Sequence, residues 1–219
     1  MNEETRFIIV DSSKIRLYTS FTKKFEDTTK KPVVLFFHGF SFSIDDWGKI
    51  GALKEVRGHG FQVVAIDLPR GNASKSDKIE LKEISEYNSI LERILSQLGI
   101  LQNKKLVIVG PSMGGGFALS FAFEHPEPIS GLVLVAPSLR QIPEKSIKYL
   151  DSGGIPILLV WGDKDDVFPV EDYAKPLQSF LPRSKLAVLS GARHPAYLDK
   201  PEEFQELLLN FLDEVTGLA

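Results

Sequence analysis

A serine, a group of carboxylates and a histidine in this chain have the types and spacing for attack on an acyl carbon. Ser112 lies in Gly110-Pro111-Ser112-Met113-Gly114, a G-x-S-x-G pattern between an apolar run at 106–109 and a helical pattern at 113–123. Flanking glycines suit a sharp strand-to-helix turn, which leaves no room for neighbouring side chains and holds the hydroxyl out at the edge of a sheet. Further on, Trp161-Gly162-Asp163-Lys164-Asp165-Asp166 follows another apolar run, and any of its three aspartates has the chemistry to orient a histidine. Gly191-Ala192-Arg193-His194 follows the last β-rich run. In this chain order the imidazole takes the serine proton and the carboxylate holds the imidazole. The bland readings are a serine in a tight turn, a solvated acidic loop and a structural histidine. The joint occurrence at successive strand ends is more specific than any one part.

Two rival chemistries for the glycine run fail on particular residues. A phosphate-binding Walker loop requires Gly-Lys-Ser/Thr, and no lysine is present. A dinucleotide fingerprint requires G-x-G-x-x-G and an acid at the end of the next strand, where this chain has Val135-Ala136-Pro137-Ser138. Across the sheet, His38-Gly39-Phe40 follows an apolar run at 33–37. A backbone N–H from that turn, with the N–H of Met113, suits the oxyanion of a tetrahedral intermediate. His38 itself reads as a packing and hydrogen-bonding residue of the loop.

The elements that must position these residues alternate. Residues 6–10 and 14–20 read as a β-hairpin about Asp11-Ser12-Ser13. Strands are expected at 33–37, 62–66, 106–109, 132–135, 157–161 and 185–189. The continuous apolar run at 33–37 fits a strand covered on both faces. Trp47, Ile50, Leu53 and Val56 recur at helical spacing. Ile84, Tyr87, Ile90, Leu91, Ile94, Leu95 and Leu98 mark a long amphipathic helix stopped by Gly99. Further helices are expected at 143–150, 170–180 and 202–215. The fold class is α/β, a mostly parallel sheet with helices on both faces, and working residues at the carboxyl ends of its strands.

Composition narrows the function further. The 219 residues fit one domain, 1–219, with no repeat or linker. A net charge of −3 provides no basic surface for nucleic acid or an anionic membrane. Cysteine is absent, which excludes thiol catalysis, disulfides and cysteine-bound metal. His38, His59, His125 and His194 show no metal-ligand spacing, so neither metal nor cofactor is expected. The acidic N-terminus lacks a signal-peptide pattern and no apolar run reaches membrane-spanning length, so the expected location is cytoplasmic.

These residues resemble the α/β-hydrolase superfamily over nearly the whole chain, and within it the compact, lidless CIB type. The strongest likeness is His194-Pro195-Ala196-Tyr197-Leu198-Asp199-Lys200-Pro201-Glu202-Glu203-Phe204. His38-Gly39-Phe40-Ser41-Phe42-Ser43, Ala65-Ile66-Asp67-Leu68-Pro69 and Val160-Trp161-Gly162-Asp163-Lys164-Asp165 also match in pattern. The resemblance implies an eight-stranded sheet whose second strand is antiparallel. It implies Ser112 as nucleophile, Asp165 as the triad acid, His194 as base, and the backbone N–H groups of Phe40 and Met113 as oxyanion donors. Arg193 stands where the superfamily usually has glycine, which sets a cation either beside His194 or toward solvent.

The expected activity is hydrolysis of short- to medium-chain acyl esters by an acyl-serine route. The other readings are acyl transfer, lysine deacylation or thioester cleavage on the same three residues, or a CIB-like protein-interaction module. A small-molecule ester is the expected partner, and a protein partner follows from the resemblance alone. Only 136–155 joins the sixth strand to the seventh, too little for a cap domain. The pocket should therefore be shallow and open, bordered by Phe40, Phe42, Trp47, Met113 and Phe168, though these aromatics also fit a core.

Overall fold

The computed structural model of the chain describes residues 4–21, 30–80, 82–101 and 105–217. The chain opens with a hairpin of β1 (Glu4–Val10) and β2 (Ser13–Thr19). Asp11 and Ser12 join them with φ of 48° and 68°. Two positive φ values let a two-residue loop follow the right-handed twist of its strands. Then come β3 (Val33–Phe36), β4 (Gln62–Ile66), β5 (Leu106–Pro111), β6 (Ile129–Val135), β7 (Ile157–Gly162) and β8 (Lys185–Leu189). The eight strands form one sheet in the order β1-β2-β4-β3-β5-β6-β7-β8. β2 runs antiparallel to both neighbours, and β4 to β8 pair in parallel through β3. The expected eight-stranded α/β-hydrolase fold is present. β3, β5 and β7 are buried at every residue, which is why their sequences are unbroken apolar runs.

Helices cover both faces. On one side lie α3 (Ile84–Gln97), α4 (Met113–Glu124), α5 (Glu144–Ser152) and α6 (Lys175–Phe180), with Ile90, Phe117, Leu150 and Leu177 in one core. On the other lie α1 (Ile44–Lys49), α2 (Ala52–Gly58), α7 (Ala196–Asp199) and α8 (Pro201–Thr216), with Trp47, Val56, Tyr197 and Phe204 in a second core. The 136–156 connection carries only α5, so no cap domain covers the strand ends. Among the described residues no helix is long and apolar enough to cross a membrane.

Two helices differ from expectation. The pattern through Trp47 and Val56 is split, because Gly51 takes φ 78° and ends the right-handed path between α1 and α2. α1 starts at a capping box in which Ser43 and Asp46 satisfy each other's backbone N–H groups. Residues 170–180 begin as a wide π-helical turn, Val170–Ala174, before α6. Pro176 lacks an N–H and crowds the carbonyl four residues earlier, and the wide turn relieves that contact.

Trp47 is also not where the pocket expectation put it. Its indole is fully buried and donates from Nε1 to the Phe37 carbonyl at 2.8 Å. The ring packs on Tyr197 at 4.4 Å, Phe36 at 5.0 Å and Phe204 at 5.8 Å. The short capped α1 turns its apolar stripe onto the sheet, and Trp47 becomes the pin between β3 and α8. Trp47→Ala is expected to cost about 3–5 kcal/mol of folding free energy in urea denaturation. A cost below about 1 kcal/mol would contradict a core position.

Candidate active site

Ser112 sits where β5 turns into α4, at φ 47° and ψ −115°. A non-glycine residue in this region carries about 1–3 kcal/mol of strain, held only when its surroundings over-determine it. Here its N–H donates to the Val135 carbonyl at 2.8 Å, and its own carbonyl accepts the Ser138 N–H at 2.8 Å and the Gly116 N–H at 3.2 Å. The glycine run makes this approach possible. A Cβ on Gly110 would lie 2.5 Å from the Gly114 carbonyl oxygen, and one on Gly114 would lie 2.8 Å from that of His38. Gly115 and Gly116 face the chain leaving β6, where a Cβ would meet Pro137 and the Ser138 carbonyl oxygen, each at 2.6 Å.

The structure separates the three carboxylates after β7. Asp165 is buried, and its Oδ1 accepts the Val167 and Phe168 N–H groups at 2.9 and 2.8 Å. Those two bonds aim Oδ2 at His194 Nδ1, 2.8 Å away. Asp163 instead holds the turn before the histidine, accepting the Gly191 N–H at 2.7 Å, and Asp166 is exposed. His194 Nε2 lies 2.9 Å from Ser112 Oγ. The Phe168 ring stands edge-on to the imidazole at 5.0 Å. Gly162 lets the two strand ends meet, since a Cβ there would lie 2.2 Å from the Ala192 carbonyl oxygen. Arg193 points to solvent and meets Asp199 through its N–H at 2.8 Å and its Nε at 3.4 Å. Ser112, His194 and Asp165 thus form one hydrogen-bonded line, with a base placed to take the hydroxyl proton.

The Gly39 turn lies beside the serine: a Cβ on Gly39 would come within 3.8 Å of Ser112 Cβ. Neither the Phe40 nor the Met113 N–H has an acceptor among the described residues. Behind the turn, fully buried His38 accepts the Leu68 N–H at Nε2, 2.8 Å away, and bonds the Gly39 carbonyl from Nδ1 at 2.8 Å. Nε2 is therefore unprotonated and Nδ1 carries the hydrogen. Asp67 Oδ1 is farther from Nε2, at 3.6 Å, so an ion pair does not describe this contact. Burial pushes the His38 imidazole below its ordinary value of 6.5.

Sequence reasoning missed the frame around this turn. Fully buried Asp67 accepts the Ile44 N–H at 2.8 Å, the Lys75 N–H at 3.1 Å and Arg16 Nη1 at 3.2 Å. Arg16 also forks onto Asp45, whose carboxyl it holds well below the usual carboxylate range. An arginine between Ile15 and Leu17, on a strand next to one that is followed directly by Asp67, was the available signal.

A cavity of about 400 Å³ opens beside Ser112, with Phe40, Ile84, Met113, Phe117 and Phe168 along its apolar wall. Phe42 does not line it. Its ring turns back onto Gly39 and Tyr197, the latter at 6.2 Å. Phe42 and Trp47 therefore belong to the support of the loop, and of the expected border Phe40, Met113 and Phe168 remain.

Comparison with known proteins agrees with the fold. A profile of the alpha/beta hydrolase fold matches residues 32–147 and 143–201. A rat protein with the provisional name protein-lysine deacylase ABHD14B is 34% identical over 186 residues, covering 83% of each chain. Zebrafish Protein ABHD14A is 32% identical over 179 residues, 81% of this chain and 63% of that one, so this chain spans less than two thirds of that relative. The crystal structure of a predicted CIB-like hydrolase from Thermoplasma acidophilum superposes with a TM-score of 0.85 at 27% identity, over 98% of this chain and 99% of that one.

The His38 geometry generates a pH prediction. Its imidazole should still be mostly neutral, as the Nδ1–H tautomer, at pH 6.5, where a free imidazole is half protonated, read by nitrogen-15 NMR. Because the folded value is depressed, its contribution to stability is complete above 6.5 and is lost as pH falls below it, when the unfolded chain takes the proton first. A folded-state titration at or above 6.5 would contradict this.

Proposed function

Because this chain belongs to the alpha/beta hydrolase fold family, we propose that it is a serine hydrolase cleaving short- to medium-chain acyl esters. The observation that carries the reading is the line Asp165 Oδ2, His194 Nδ1, His194 Nε2, Ser112 Oγ, with steps of 2.8 and 2.9 Å. In this reading Ser112 Oγ attacks the acyl carbon as His194 Nε2 takes its proton. Asp165 holds the Nδ1–H tautomer and stabilises the imidazolium. The N–H groups of Phe40 and Met113 receive the developing oxyanion, where the helix start of α4 adds its dipole. His194 then protonates the leaving alcohol, and a water activated by the same imidazole releases the acid from the acyl-serine. The open cavity supports small acyl groups, because no segment among the described residues covers an extended tail.

The name of the rat relative favours a second reading, removal of an acyl group from lysine on the same residues. The acyl-serine would be shared, and His194 would protonate an amine rather than an alcohol. Nitrophenyl esters and acyl-lysine peptides, offered in parallel, separate the two.

Ser112→Ala is expected to abolish labelling by a fluorophosphonate probe and to lower kcat by about 10⁴–10⁶. Labelling that survives the substitution would sink the serine reading. Asp165→Asn should cost about 10⁴ in kcat through the wrong tautomer. Asp163→Asn should act on stability instead, and equal kcat losses in the two variants would overturn the choice of acid. Across nitrophenyl esters from acetate to palmitate, kcat/KM should peak at short to medium chains, and a peak at palmitate would contradict the uncovered cavity.

A further inference from the structure

We propose that the acyl group taken by this site ends in a carboxylate, making the preferred substrate a monoester of a dicarboxylic acid. The inference rests on the serine hydrolase reading and narrows its substrate class. Among the described residues, Arg70 and Arg140 are the only ionisable ones along the wall of the cavity at Ser112, and no carboxylate of those residues lines it. Arg70 follows β4 and Arg140 follows β6, so they reach the cavity from opposite sides of the β3–β5 pair. Both are exposed, and neither makes a hydrogen bond or an ion pair among the described residues. Arg93, Arg183 and Arg193, elsewhere on the surface, each meet an aspartate. The chain as a whole has 29 acidic and 26 basic residues, so a pair of unmatched cations beside the nucleophile is a local feature rather than a basic surface.

The wall between the two arginines is apolar. Phe40, Ile84, Met113, Phe117 and Phe168 suit methylene groups, and a guanidinium fork suits a carboxylate at their far end. Phe40 and Met113, the proposed oxyanion donors, line this same cavity, so the reacting carbonyl lies at its edge, and the proposal assigns the cavity to the acyl chain rather than the leaving group. Hydrolysis balances simply. The bond from the acyl carbon to the leaving oxygen breaks, water supplies hydroxide to that carbon and a proton to the alcohol, and the dicarboxylic acid departs.

The test compares mono-4-nitrophenyl adipate with 4-nitrophenyl hexanoate, which share a chain length and differ in the terminal carboxylate. The expected kcat/KM ratio favours adipate by about tenfold or more, and salt reduces it, as exposed charge pairs require. In Arg70→Gln/Arg140→Gln the ratio should fall to about one, while Arg183→Gln, at a distant ion pair, should keep the parent ratio. A parent ratio of one or below, or a ratio untouched by the double substitution, overturns the inference while leaving the serine reading in place. A third pair, acetylsalicylate against phenyl acetate, places the anion on the leaving group; an arginine-dependent preference there overturns the acyl-side assignment. If Ser112→Ala leaves all ester turnover intact, the serine hydrolase reading fails and this inference fails with it.

Discussion

The main-chain conformation of Ser112 is the constraint on which the site depends. At φ 47° the residue lies where side chains are disfavoured, and an isolated turn would relax out of it. Three hydrogen bonds hold it, two of them to the chain running out of β6. Those bonds exist only because β6 lies beside β5 in the sheet, and only because Gly115 and Gly116 let α4 come down onto Pro137 and Ser138. The glycine run is thus a packing requirement on three sides of one serine. The same strain points Oγ outward, toward the loops that follow the neighbouring strands.

Those loops arrive by different physical means. On the β7 and β8 side, Gly162 admits the Ala192 carbonyl, Asp163 holds Gly191, and two backbone N–H groups aim Asp165. Each aspartate therefore has one task, which a run of acidic residues in a loop does not reveal. On the β3 and β4 side the frame is electrostatic. Arg16, Asp67 and Asp45 tie β2, β4 and α1 together, and neutral His38 ties the Gly39 turn to Leu68. Buried charge of this kind is costly unless every partner is present, and here the carboxylate of Asp67 has three donors.

The cavity between these two sides combines an apolar wall with unmatched cations. That asymmetry arises because no cap domain follows β6, so Arg140 stands at the rim rather than beneath another layer. An open rim leaves shape selection weak, which is why the proposed preference rests on charge.

The sheet, its parallel character and the strand ends were legible in the sequence, because strands buried on both faces must be continuous apolar runs and crossovers must be helical. Ser112, the loop of Asp165 and His194 were legible too, since a sharp turn needs glycine and the residue types carry the chemistry. What periodicity did not carry was the destination of the aromatics. Trp47 and Phe42 have the composition of pocket residues, but Gly51 breaks the helix and α1 turns Trp47 onto Phe37, Tyr197 and Phe204. The resemblance pointed to Asp165, but only the tertiary structure gave Asp163 its separate task at Gly191, turned Arg193 to Asp199, and brought Arg70 and Arg140 to one cavity. The reason is the same in each case: local sequence sets which conformation a segment prefers, while a side chain's partner is decided by which distant strand end the sheet order sets beside it.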